Sequence, residues 1–297
     1  MWHGFAYFAL SLSLTATTAV WTDYDPEYRE KIKQWRQEQE VALKANDGWL
    51  TVVGLFFLSE GENRFGSSPM NDIVLSKDSA PPEIGTFEFY DGKTVVHARP
   101  GITLTVNNEI VETATLRPAI NGKAADILKV GSLTMFVHTS GNRYAIRVKN
   151  PNSQIRKGFK GRRWFPVDEK YRVTGQFIPH KEPRPLNVPN IIGDTEHYVS
   201  SGSVKFTLGE QEHQMLAVDT RNGLWFIFRD LTSGKETYSS ARFLRSDVPK
   251  EGQITLDFNR AYNPPCAFNP YTTCPLPPKE NRLPVRVNAG ELTYGDH

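Results

Sequence analysis

The sequence has few of the words that announce a familiar enzyme. Its 297 residues contain no G-x-S-x-G, which excludes the nucleophile elbow of an α/β-hydrolase. They contain no H-E-x-x-H or related metal word, no G-x-G-x-x-G and no G-x-x-x-x-G-K-[ST]. No cofactor or metal is therefore expected. Charge of one sign is also lacking: the net charge of +2 is too small to argue for nucleic acid or an anionic membrane as partner. No N-x-[ST] glycosylation acceptor occurs. The apolar run Phe5 to Leu14 is too short for a convincing membrane span, and no other segment could cross a bilayer. Cysteine is scarce, with two residues only, Cys266 and Cys274.

What is present points to strands and to export. Aromatic residues make up 11% of the chain, with 22 Gly and 20 Pro, a composition that favours strands joined by turns. The run FAYFALSLSL followed by TATTA matches the apolar and cleavage regions of a secretory signal, although only the α-amino group and His3 precede it as cations. The expectation is a signal peptide over residues 1–21 and a secreted or periplasmic protein with no membrane span after cleavage. An uncleaved anchor and a buried N-terminal helix are the alternatives.

The most unusual segment is AYNPPCAFNPYTTCPLPPKENRLP, Ala261 to Pro284, which holds both cysteines and seven of the 20 prolines. Proline lacks the N–H and fixes φ, so this stretch can be neither helix nor central strand. A long irregular segment inside a domain is usually functional or disordered. Its Tyr262, Phe268, Tyr271, Leu276 and Leu283 predict that it packs. Two cysteines eight apart suit a local disulfide in an oxidising compartment, worth about 2–3 kcal/mol in the chain-entropy model. Inert buried thiols and a chemically active pair remain open; C-x7-C is not a zinc spacing.

The pattern predicts one clear helix, Asp25 to Asn46, with Asp25 as N-cap, Pro26 at the first helical position and Gly48 as its end. Tyr28, Ile32, Trp35 and Leu43 form its apolar face, expected to pack on the first domain, and Glu27 pairs with Lys31. Strands follow. Trp49 to Leu58 reads as buried, and turns are expected at Asp91-Gly92, Asn107-Asn108, Asn121-Gly122 and Ser140 to Asn142. The boundary carries Arg156, Lys157, Lys160, Arg162 and Arg163, five cations in eight residues, read as a solvated linker or an anion grip. Beyond it come alternating segments at Tyr171–Pro179, Ser203–Thr220 with a turn across Glu210 to Glu212, Leu224–Leu244 with a turn at Ser233-Gly234, and Gln253–Asn259. The expected architecture is mainly β: residues 22–155 as a helix plus β-sandwich, and residues 156–297 as an antiparallel β-barrel or sandwich with a Pro/Cys-rich loop.

Two resemblances sharpen this. GENRFGSSPMNDIVL, VNNEIVETATL and LKVGSLTMFVHTSGNRYAIRV resemble the strand order of a forkhead-associated β-sandwich, a fold that binds phosphothreonine peptides through arginine, serine and histidine in its loops. The arginine would fall at Ser67 and the serine–histidine loop near Ile84 to Glu88. Neither ligand is present, so the resemblance implies the fold and argues against phosphopeptide binding; Arg64 is left as a weak anion contact. FRDLTSGKETY, ARFL and LDFNRAYNPPCAFNPYTTCPLPPKENRLPV, with GWLTVVGLFFLSEGENRFGS near the N-terminus, resemble domain of unknown function 1684 over about residues 25 to 292. That family brings no established activity. Its members also occur without a signal segment, which leaves the pairing of the cysteines open.

Candidate site residues follow from the strands that run toward the Pro/Cys segment. On LWFIFRD, Trp225, Ile227 and Arg229 share a face; on ITLDFN, Thr255, Asp257 and Asn259 share one. If the latter points into a barrel, Asp257 and Arg242 form a buried ion pair, either a clasp for the loop or part of a polar pocket. The candidate ligand-binding set is Arg229, Asp230, Tyr238, Arg242, Asp257, Asn259, Tyr262, Asn263 and Asn281, with aromatic walls from Trp164, Tyr198, Trp225, Tyr238, Tyr262 and Tyr271. The favoured expectation is a small-molecule ligand bound beneath the Pro/Cys loop. Two alternatives stand beside it: a hydrolase-like enzyme using Asp257 with His197 or a Cys266 thiol, and a structural or partner-docking protein.

Overall fold

The computed structural model describes residue 1 and residues 25–119 and 124–295. Most of the expected signal segment and the Asn121-Gly122 turn lie outside the described residues. Within them, no helix is long and apolar enough to cross a membrane.

Helix α1 spans Pro26–Lys44, and the Asp25 carboxylate caps it by accepting the Glu27 and Tyr28 N–H groups at 2.9 and 3.2 Å. Glu27 and Lys31 pair at 2.6 Å, as expected. The apolar face packs only in part where expected: Leu43 clusters with Leu50 and Ile155 of the first half, and the rest meets the second half. Tyr28 Oη donates to Asp257 Oδ1 at 2.8 Å, Arg36 donates to the Phe165 and Asn259 carbonyls, and Trp35 meets Trp164 and Tyr262 edge-on. The helix thus docks its N-terminal part on the C-terminal half and its last turn against both halves. Its spacing defines a buried stripe but not which surface the stripe meets.

Among the described residues eleven strands build the N-terminal sandwich: β1 Val52–Phe57, β2 Gly61–Gly66, β3 Ile73–Val74, β4 Gly85–Tyr90, β5 Lys93–Ala98, β6 Leu104–Val106, β7 Glu109–Val111, β8 Thr113–Leu116, β9 Leu128–Val130, β10 Leu133–Ser140 and β11 Arg143–Lys149. One sheet runs β1-β11-β10-β9-β6-β7 and the other β3-β2-β4-β5-β8. Phe65, Phe87, Val96, Leu104, Leu128, Met135 and Ile146 fill the core between them. The hairpin turns fall where the sequence places them. Asp91-Gly92 and Asn107-Asn108 take positive φ at both central residues, the twist that a two-residue β-turn requires. Strand β1, expected to be buried, is an edge strand and is only half-buried in its second part.

The C-terminal half contains β12 Arg172–Pro189, β13 Thr195–Leu208, β14 Gln211–Leu216, β15 Val218–Thr220, β16 Gly223–Phe228, β17 Arg242–Ser246 and β18 Gln253–Asp257. They form the sheets β14-β13-β12-β18 and β15-β16-β17. The turn between β13 and β14 is Gly209-Glu210, one step earlier than the pattern suggests. Strand β16 alternates between two cores. Phe226 and Phe228 join Phe206, Leu256 and Phe258 on one side, while Ile227 and Trp225 join Phe243, Val188 and Cys274 on the other.

Strands β12 and β13 are much longer than the sequence suggests. Past a bulge between Pro179 and Arg184 they continue as an arm. Its tip grips the β10–β11 turn of the sandwich: Asn190 Nδ2 donates to Ser140 Oγ at 2.9 Å, and Asp194 accepts a bidentate bond from Arg143 at 2.9 and 2.7 Å. The Pro/Cys segment lies along this arm, with Ile191 N–H bonded to the Cys274 carbonyl and Leu276 N–H to the Pro189 carbonyl. On its other side, Asn269 Nδ2 donates to the Trp49 and Val52 carbonyls at 3.0 and 2.8 Å. The segment is therefore the seam between the halves, and it packs as expected, although Tyr271 is exposed.

A candidate binding cavity beneath the Pro/Cys segment

The polar residues singled out from the sequence divide into three buried hubs and a helix-docking cluster. In the first hub, Arg242 and Asp230 pair at 3.1 Å with both side chains fully buried. Asp230 also accepts from Thr232 and from Val287 N–H, and Arg242 donates to the Val287 and Ala289 carbonyls. In the second, Asn281 accepts from Leu216 N–H and donates to the Leu216 and Ile227 carbonyls, while the Arg229 backbone pairs with Asn281 and Leu283. In the third, Asn263 N–H donates to Glu291 Oε2 at 2.7 Å and Arg162 pairs with Glu291 at 2.5 Å. Burial pushes the Glu291 carboxyl up, and Arg162 pulls it back.

Asp257 is not the partner of Arg242. Ile254 and Leu256 point into the core, so the alternation of β18 sends Asp257 outward to Tyr28 of the helix. Asn259 joins that docking cluster through Tyr28 Oη and the Asp168 backbone. His197 bonds Asn187 on the arm at 2.7 Å, so Asp257 and His197 form no dyad. The three boundary arginines are staples rather than an anion grip: Arg156 bonds the Lys44 and Pro151 carbonyls and Asn46, Arg162 pairs with Glu291, and Arg163 bonds the Thr293 and Gly295 carbonyls. Arg64 is occupied by Asp72.

Of the cavities that flank helix α1, two share Gln39, Arg245 and Tyr262. One, of about 590 Å³, is lined by charges of both signs, among them Arg172, Arg260, Asp247 and Asp257. The other, of about 610 Å³, lies beneath the Pro/Cys segment. Its walls include Trp49, Tyr198, Trp225, Phe243 and Tyr262, and its lining carries Lys149, Arg162 and Arg245 against the single acid Asp47. Tyr198, Trp225 and Tyr262 are walls the sequence suggests. Trp164, Tyr238 and Tyr271 do not line it, although Tyr238 Oη reaches the Cys266 carbonyl at 3.4 Å.

Two buried polar atoms in this lining have no partner among the described residues: the donor Trp225 Nε1 and the acceptor Asn263 Oδ1. Buried polar groups are nearly always bonded, so these two side chains lack a partner that such groups usually have. Behind the wall lies Arg147, 4% exposed, which donates to Thr273 Oγ1 at 3.3 Å and stacks on Trp49; its Nε is unpartnered, and no carboxylate among the described residues pairs with it. Burial pulls its guanidinium down to about 10. His138, which also meets Thr273, is pushed down to about 3 by burial and by Arg147, and is neutral. Lys149 is likewise lowered by burial. These cations come from β11, which the sequence reads only as a sandwich strand. The available signal is an Arg and a Lys alternating on a strand whose other face is apolar.

Cys266 and Cys274 are free thiols in this structure and are hydrogen-bonded to each other. Cys274 Sγ accepts the Cys266 N–H at 3.2 Å, and Cys274 lines the cavity. Among the described residues no cluster of His, Cys, Asp or Glu is arranged to hold a metal.

Comparison with known proteins places this geometry in a family. The family described as "Protein of unknown function (DUF1684)" matches residues 157–292, the part that carries the three hubs and the Pro/Cys segment. An uncharacterized protein of Haloarcula marismortui, known from a solution NMR structure, is 33% identical, with 48% of this chain and 81% of that chain covered and a TM-score of 0.41. The FhaA FHA domain, crystallised with the intracellular domain of another protein, is 16% identical over 32% of this chain and 97% of its own, with a TM-score of 0.22. A second FHA domain, from work on phosphothreonine-dependent interactions, is 17% identical over 33% and 96%, also with a TM-score of 0.22. Likeness of that degree extends to no ligand or activity. No curated protein matches the sequence. The chain is a member of the DUF1684 family.

Proposed function

We propose that the protein binds a small anionic ligand with an aromatic or apolar body in the cavity beneath the Pro/Cys segment. The carrying observation is that two residues lining one aromatic-walled cavity, Trp225 and Asn263, each hold a buried polar atom, Nε1 and Oδ1, without a partner among the described residues. Few convergent polar groups in a largely apolar pocket are the usual make-up of a small-molecule site. With Arg162 paired to Glu291, Lys149 and Arg245 against Asp47 leave the lining with one cation in excess, which favours an anion, and the rings favour a flat or apolar body. The residues first singled out for binding serve this reading as scaffold: the Asp230–Arg242 and Asn281 hubs fix the strands and the loop around the cavity.

The reading includes export, supported by the apolar run Phe5 to Leu14 and the small residues after it. Intact-mass measurement on protein from its own host tests that part. The binding part is tested by titrating phenyl phosphate and benzoate against uncharged phenol, followed by calorimetry and tryptophan fluorescence. Saturable binding of the anions, absent for phenol, supports it; equal or no response to all three overturns it.

A further inference from the structure

The cavity wall also carries Cys274, and Cys266, the other thiol of the chain, lies beside it. We propose that Cys274, with Cys266 as its second thiol, is a thiol–disulfide exchange site that takes a small anionic disulfide from the cavity. The proposal rests on the binding reading above, because the cavity is the route to the sulfur.

The geometry separates the roles of the two sulfurs. Cys274 is 3% exposed and faces the cavity, so a reagent reaches it through the bound position. Its Sγ accepts the Cys266 N–H at 3.2 Å and lies 3.8 Å from Thr272 Oγ1. Donors aimed at a sulfur favour the thiolate, which is the nucleophile. Arg147 adds a buried positive charge that has no direct ion pair among the described residues, with Glu196 as the acid that acts on it at longer range, and it is held by Thr273, the neighbour of Cys274. Cys266 is half-buried, hydrogen-bonded to Cys274 through its thiol, and keeps its proton. The hydrogen bond from Cys266 is the largest cause that holds the Cys274 thiol below its ordinary value; the same bond, with burial, holds Cys266 above it.

The chemistry balances without another reactant. Cys274, its proton released to solvent, bonds through Sγ to one sulfur of a disulfide RS–SR; the S–S bond breaks and RS⁻ leaves. Cys266 then loses its proton and attacks Cys274 Sγ in the mixed disulfide, and the second RS⁻ leaves. The substrate is reduced to two thiols, which take up the two protons, and the protein is oxidised to one Cys266–Cys274 disulfide. Lys149 and Arg245 in the lining, with Arg147 behind it, suit a substrate that carries negative charge.

The test uses the reduced full chain and two probes: 5,5′-dithiobis(2-nitrobenzoate), an aromatic dianionic disulfide, and neutral 4,4′-dithiodipyridine. Wild type is expected to release two equivalents of thionitrobenzoate per chain and end two hydrogens lighter with no adduct. Cys266→Ser should release one and keep a mixed disulfide on Cys274, whereas Cys274→Ser should react more slowly by about tenfold or more. Arg147→Gln should slow the anionic probe more than the neutral one. Release only after denaturation, or equal rates for the two cysteine variants, overturns the proposal. The wild-type mass decides even where a variant fails to fold. If phenyl phosphate binds but the folded thiols stay inert, the exchange site fails and the binding reading stands. Rapid oxidation without phenyl phosphate binding and without preference for the anionic probe sinks both the anionic substrate and the binding reading.

Discussion

Arg242 and Asp230 are 3.1 Å apart, fully buried, and tied by shared bonds to the backbone of Val287 and Ala289. The pair joins β17 to the loop after β16 and to the closing stretch of the fold. Removing one partner leaves an uncompensated buried charge, so Asp230→Ala should cost about 3–5 kcal/mol in guanidinium unfolding. The double change Asp230→Leu with Arg242→Met should cost less than the two single changes together. Additive losses would show that the pair is not coupled.

His138 sets a pH dependence. Its folded-state value of about 3 lies below the ordinary 6.5, so the unfolded chain binds a proton that the folded one does not between these values. Stability from this group is complete above pH 6.5 and falls as pH drops toward 3, by at most about 1.4 kcal/mol per unit. His138→Gln should flatten that limb in urea melts from pH 7 to 4. An unchanged slope would mean that His138 is accessible to protons in the folded state.

Trp225→Phe separates scaffold from site. The indole N–H has no partner among the described residues, so its loss should change stability by no more than about 1 kcal/mol. Affinity for phenyl phosphate should fall about tenfold if that N–H meets the ligand. A large stability loss with unchanged binding would assign Trp225 to packing alone.

The arm tip should respond unequally to two changes. Asn190 is buried and bonds Ser140, Glu196 and two backbone N–H groups, so Asn190→Ala should cost about 1–3 kcal/mol. Asp194 pairs with a half-exposed Arg143, so Asp194→Ala should cost less than about 1 kcal/mol. Hydrogen exchange at the β10–β11 turn, faster in the first variant than in the second, is the readout.

Much of the fold is legible in the sequence, because its signals are local. Asp25-Pro26 starts the helix, Asp91-Gly92 and Asn107-Asn108 make two-residue turns, and β16 shows its two-faced alternation in the string LWFIF. The partners are not legible, because they are set by which faces meet. Arg242 finds an acid, as expected, but it is Asp230 from the neighbouring loop; the pleat of β18 turns Asp257 toward Tyr28. The long arm of β12 and β13 is hidden by Pro183, Pro185 and Pro189, which suggest a loop and yet lie in or beside an extended ladder. The cavity is half legible: Tyr198, Trp225 and Tyr262 belong to the expected walls, whereas Trp49, Arg147 and Lys149 are supplied by the other half of the molecule.

Helix α1 rests on Asp257, Asn259 and Tyr262, more than two hundred residues further along the chain. Leu283, Val287 and Ala289 complete the core that supports those residues. The first helix among the described residues therefore keeps Tyr28 and Trp35 without their partners until the closing stretch emerges. Contacts of such sequence separation slow folding. The N-terminal sandwich can form while synthesis continues, but the helix, the cavity and the thiol pair come into being together, in the last step of assembly.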